Sequence, residues 1–100
     1  MTNMTCVIGR LVSDLEINET ENGKKVATIT LAVSRSFKNE NGEYETDFIP
    51  CVLWEPIAER TKEYCCKGDL IAVKGRLQSD DNGIHIIAEK VSFLSSKKPE

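Results

Sequence analysis

Two aromatic side chains, Phe48 and Trp54, stand six positions apart in a run rich in apolar residues. Six is even, so on an extended strand, where side chains alternate between faces, both rings project the same way. Ile49, Cys51 and Leu53 take the alternate positions and form the natural core set. Phe48, Pro50, Val52 and Trp54 then face outward or into a groove. Large rings on an otherwise polar sheet surface are platforms on which unpaired bases stack, at about 1–3 kcal/mol per base. Parity is equally satisfied by the reverse arrangement, with Trp54 packed in the core.

Cations point to a related chemistry. Arg10, Arg35, Lys74 and Arg76 lie in strand-like runs, and Lys38 directly follows a third aromatic, Phe37. Lys74 and Arg76 share one strand face, opposite Ile71, Val73 and Leu77. Acidic residues gather instead in the turn segments 19–21 and 40–47 and on the polar face of the helical segment. Strand cations interleaved with aromatics make a groove that follows a phosphate backbone. Net charge does not advertise it: 13 Lys plus Arg against 16 Asp plus Glu leave −3 over 100 residues. That balance argues against a partner held by net charge alone, such as bulk nucleic acid or an anionic membrane.

Catalytic and metal chemistry find little support. The single histidine, His85, follows a turn and has no nucleophile motif beside it. No phosphate-binding glycine loop, dinucleotide fingerprint or zinc-protease motif occurs. Cys6 and Cys51 sit in apolar runs and read as small buried hydrophobes. Cys65 and Cys66 are adjacent, which ill suits aiming two thiolates at one metal. No metal or cofactor is implied. With no signal peptide, no apolar stretch near the roughly 20 residues of a membrane helix, and no disulfide framework, the expectation is a reduced, cytoplasmic protein.

The elements that must position these residues are punctuated by three Asn-Gly pairs, at 22–23, 41–42 and 82–83. Asn-Gly supplies the positive φ angles of tight hairpins. Five strands are predicted at 6–12, 26–34, 48–54, 70–77 and 84–94, with the first pair joining strands one and two, the second two and three, and the third four and five. Residues 26–34 alternate cleanly: Ala27, Ile29, Leu31 and Val33 on one face, Thr28, Thr30 and Ser34 on the other. One amphipathic helix begins at Pro56, carries Ile57, Ala58, Thr61, Tyr64 and Cys65 on one face, and is expected to end at Gly68. Strand, strand, strand, helix, strand, strand is the order of an all-β OB-fold, a five-stranded Greek-key barrel with one α-helix between strands three and four. One domain is expected over 1–94, with a short tail at 95–100.

Several ordered segments resemble the bacterial and phage single-stranded DNA-binding proteins. They are Val7-Ile8-Gly9-Arg10-Leu11, Asn22-Gly23-Lys24, Leu31-Ala32-Val33-Ser34-Arg35-Ser36-Phe37, Ala58-Glu59, Lys67-Gly68-Asp69-Leu70 and Val73-Lys74-Gly75-Arg76-Leu77. The resemblance implies an OB-fold, a homotetramer (a dimer ranking second), and base stacking at the matched positions Phe37, Phe48 and Trp54. Phosphate neutralisation would fall to Arg10, Arg35, Lys38, Lys74 and Arg76. Phe37 is off the parity of the other two and stands near the strand end, where a bulge or loop could reorient it. Family members usually carry a long hairpin between strands four and five, often with an aromatic and several basic residues, where this chain has the short acidic Gln78-Ser79-Asp80-Asp81-Asn82-Gly83 and so lacks one stacking position and its charge. Many also carry an acidic C-terminal tip that recruits other proteins, and the sequence ends without one. The expected function is sequence-tolerant, non-catalytic single-stranded DNA binding in replication, recombination and repair. The alternatives are a dimeric primosomal-type OB protein and an OB-fold protein-interaction module.

Overall fold

Alternating β-branched residues build strands longer than the sequence suggests. A computed structural model describes residues 1–94, so the tail expected at 95–100 lies outside the described residues. The elements are β1 (Thr5–Leu11), β2 (Asn18–Glu19), β3 (Lys25–Lys38), β4 (Tyr44–Trp54), α1 (Ile57–Tyr64), β5 (Leu70–Asp80) and β6 (Gly83–Phe93). The sheet runs β1-β5-β6-β4-β3-β2, and β1 closes it on β3 through Arg10↔Ala32 and Leu11↔Leu31. Among the described residues only β4 and β6 pair in parallel, at Cys51↔Ile86 and Val52↔Ile87. This is the expected OB-fold: five strands closed into a barrel, with one helix between β4 and β5 packed against β3, β4 and β6.

Closure gives every barrel strand an inner face. Leu11, Ala27, Ile29, Leu31, Cys51, Leu53, Ile71, Val73, Ile86 and Ala88 meet there and are buried. The predicted alternation of 26–34 holds, and so does the assignment of Cys51 and Leu53 to the core. Burying each large aliphatic side chain contributes about 1.5–3 kcal/mol. The Cys51 thiol is pushed up to about 11 by burial, so at neutral pH it is a protonated packing group rather than a nucleophile or ligand.

Four expectations need correction. Asn22-Gly23 turns the chain between the two-residue β2 and β3, not between β1 and β3, with Gly23 at φ 79°. The helix stops at Tyr64 rather than at Gly68, because Cys65 turns extended (φ −126°, ψ 152°) and buries its side chain. Gly68, at φ 91°, serves the next turn, where the Asp69 carboxylate accepts a hydrogen bond from the Cys66 N–H at 2.9 Å. Tyr64, placed on the buried face by spacing, is exposed and rests against Phe93 with ring centroids 5.6 Å apart. Cys6, read as buried, is exposed. The run 6–12 alternates after all, with Gly9 and Leu11 inward and Cys6, Ile8 and Arg10 outward.

Candidate nucleic-acid interface

The open question of strand parity is settled by the barrel. Cys51 and Leu53 fill the core, which turns Phe48, Pro50, Val52 and Trp54 onto the outer face of β4. Phe48 is 62% exposed and Trp54 39%, at opposite ends of a row along one strand. At about 3.3 Å per residue, the two rings lie roughly 20 Å apart. Both belong to the outside of the barrel, not its core.

Cross-strand register places two cations beside this row. Arg10 pairs with Ala32, and Ala32 with Phe48, so Arg10 lies two strands from Phe48 on the outer face. On the other side Val52 pairs with Ile87, and Ile87 with Arg76. Strands sit about 4.8 Å apart, so each guanidinium starts roughly 10 Å from the aromatic strand, within reach of a backbone lying along it. The Arg10 side chain donates to the Gly68 carbonyl at 3.0 Å, and Arg76 lies 3.4 Å from Glu89. Lys74 is farther round the barrel, in register with Cys6 and Lys90.

Phe37 and Lys38 lie on the arm that β3 and β4 extend beyond the barrel. Ser34 pairs with Thr46 and Lys38 with Tyr44, so residues 35–37 stand against Glu45 alone. The strand is irregular there, and Phe37 is 67% exposed within the irregularity. Arg35 is not brought to the aromatic face. It follows Val33 on the opposite side, with Nη2 2.9 Å from Asp47 Oδ1 and Nη1 2.6 Å from Glu45 Oε2. The guanidinium beside Asp47 holds that carboxyl below its usual range.

Sequence reasoning missed Tyr44. It is 59% exposed, shares strand parity with Phe48 and Trp54, and has the Lys38 ammonium 5.7 Å from its ring centroid. The signal was available, since Tyr44 is four residues from Phe48, but it was hidden in a segment read as an acidic loop. Also missed is the groove beside the row. The tip of the β5–β6 hairpin faces β4 across a half-open groove of about 240 Å³, lined by Thr28, Pro50, Val52, Asp80, Ile84 and His85 among others. Among the described residues, no group of three or more potential ligands could hold a metal ion, and no helix is long and apolar enough to cross a membrane.

A closed OB barrel with exposed aromatics in line on one strand, flanked by arginines, defines the class of single-strand nucleic-acid binders. Comparison makes this particular: residues 2–94 match the family model described as the single-strand binding protein family, and the chain belongs to that family. Single-stranded DNA-binding protein B of Bacillus subtilis (strain 168) is 40% identical over 109 residues, covering 100% of this chain and 96% of the relative. Single-stranded DNA-binding protein 3 of Listeria innocua is 44% identical, covering 98% of this chain and 67% of its own length. The chain spans only 53% of the Lactiplantibacillus plantarum relative, at 40% identity. A crystal structure of a deletion mutant of the single-stranded DNA binding protein from Thermus aquaticus superposes with a TM-score of 0.77 at 28% identity, covering 98% of this chain and 43% of that one.

Proposed function

We propose that this chain binds single-stranded DNA along the outer face of β4, with little sequence preference imposed by stacking and no catalysis. The observation that carries the reading is the register: Phe48 and Trp54 in line, with Arg10 on one side and Arg76 on the other. Phe37, Phe48 and Trp54 stack on bases, and Tyr44 extends the row onto the arm. Arg10, Lys38, Lys74 and Arg76 neutralise phosphates. Arg35, held by Asp47 and Glu45, stiffens the arm and contributes less to the backbone than the sequence suggested. Coating exposed single strands during cytoplasmic replication, recombination and repair is the role such binding serves.

Gel shifts with single-stranded DNA, duplex and RNA oligomers test this, followed by a salt titration. Single-stranded DNA is expected to shift at the lowest protein concentration. Four phosphate contacts release counterions from a single strand, giving a log–log salt slope of about −3 per site. Preferential binding to duplex, or a complex indifferent to salt as an apolar protein interface is, overturns the reading.

The assembly expected is a homotetramer, with a dimer ranking second. On the side away from β5, β1 pairs with β3 only through Arg10 and Leu11 and Gly9 packs against Ala32, which leaves Thr5–Ile8 an open edge among the described residues. Exposed Ile8 and Met4 accompany that edge. An unpaired edge with apolar side chains invites pairing with a second copy. Light scattering at micromolar protein is expected to return four times the 11.2 kDa chain mass; the mass of one chain would contradict assembly.

A further inference from the structure

The chain holds one histidine, and the fold sets it on the aromatic face. Ile87 is in register with Val52 of β4, and His85, two positions back along β6, shares the side of the sheet that Ile87 and Val52 occupy. There it lines the groove together with Pro50 and Val52, the two outward residues between Phe48 and Trp54. The imidazole is 14% exposed, with Nδ1 3.7 Å from Asp80 Oδ2. Few charged groups surround it. β5 contributes Asp80 at the groove and Arg76 in register with Ile87, and Arg76 already lies 3.4 Å from Glu89 of β6. β3 and β4 contribute Thr28, Pro50 and Val52 to the groove and no ionisable side chain.

Resting on the single-stranded DNA reading above, we propose that His85 is a further phosphate-binding residue of this face, recruited by protonation, so that single strands are held more tightly as pH falls from about 8 to 5.5. Histidine is the side chain whose charge ordinarily changes in that interval. A neutral ring leaves the Asp80 carboxylate uncompensated beside the path of the strand, where it repels phosphates. The imidazolium carries two N–H donors, one for Asp80 and one for a phosphate oxygen. The sign follows from linkage. DNA favours the charged ring, so a proton is taken up on binding and affinity rises as pH falls through the titration range.

Anisotropy titrations of labelled oligo-dT with wild type and His85→Gln, at about pH 5.5 and about pH 8, test this. Thymine gains no proton in that interval. Glutamine is polar but cannot charge, so the variant supplies the baseline for every other titrating group. Wild-type affinity is expected to be about three- to tenfold higher at the lower pH, beyond any change seen in His85→Gln. Its log–log salt slope should also be steeper there by about 0.7, the value of one added phosphate contact on a single strand. A second measurement needs no substitution. The single histidine gives one imidazole Cε1–H proton resonance, whose titration midpoint should rise by about 0.5 to 1 pH unit when oligo-dT is bound. A pH dependence that His85→Gln retains, a salt slope independent of pH, or a midpoint that DNA leaves in place overturns the inference. Binding of oligo-dT without these effects leaves the single-strand reading standing, whereas failure of wild type to bind removes both.

Discussion

Gly75→Ala is expected to lower the melting temperature by about 12 °C or more, on the scale of roughly 4–8 °C per kcal/mol for a domain of this size. The register of β5 and β6 shifts between Lys74 and Gly75, and there the β6 backbone lies close against Gly75. A Cβ on Gly75 would overlap the Ile87 carbonyl oxygen, come within 2.9 Å of its carbonyl carbon and lie 3.2 Å from the Ala88 Cα. All three are backbone atoms, so no side-chain rotation relieves the clash and the strands must part. Overpacking of this kind costs about 3 kcal/mol or more, a large share of the roughly 5–15 kcal/mol that holds a small domain together. The same hairpin carries His85 and Arg76, so DNA binding should fall with the fold. Gly42→Ala provides the contrast: at φ 77° with open space around it, the substitution strains one turn residue by about 1–2 kcal/mol. A thermal melt of Gly75→Ala within a few degrees of wild type would contradict the close approach of β5 and β6.

The second large effect separates binding from stability. Phe48→Ala and Trp54→Ala are each expected to weaken single-stranded DNA binding by about 5- to 150-fold, the equivalent of 1–3 kcal/mol of stacking. Because both rings stand outside the core, thermal melts should move little. Leu53→Ala, one residue from Trp54 but fully buried, should show the opposite signature, losing about 2–5 kcal/mol of stability while the outer face keeps its residues. Paired melts and titrations of the three variants read this directly. A melt of Trp54→Ala as damaging as that of Leu53→Ala would return Trp54 to the core.

What could be read from the sequence was what local periodicity encodes. The alternation of Ala27, Ile29 and Leu31 and the three Asn-Gly turns specify the hairpins, and the single helical pattern between strands specifies the OB order. Phe48 and Trp54 were paired by parity, but their side of the sheet depended on which residues the closed barrel enclosed, a non-local fact. Tyr64 and Cys6 show the same limit, since spacing gives a face and only packing decides whether that face is covered. Arg35 looked like its fellow arginines until register set it across from Asp47 and Glu45. Tyr44 and the Asp80 groove were obscured because strand extensions beyond the barrel resemble acidic loops, and their order comes from pairing with the neighbouring strand.

Trp54 is the only tryptophan, so its emission reports on one place in the molecule. Titration of the chain with a mixed-sequence single-stranded oligomer at low salt, followed by added salt, tests the stacking face most directly. Emission is expected to fall as a base lies against the indole, to saturate with DNA, and to recover as salt weakens the phosphate contacts. Emission that stays constant while the labelled oligomer is seen to bind would place the DNA on another surface.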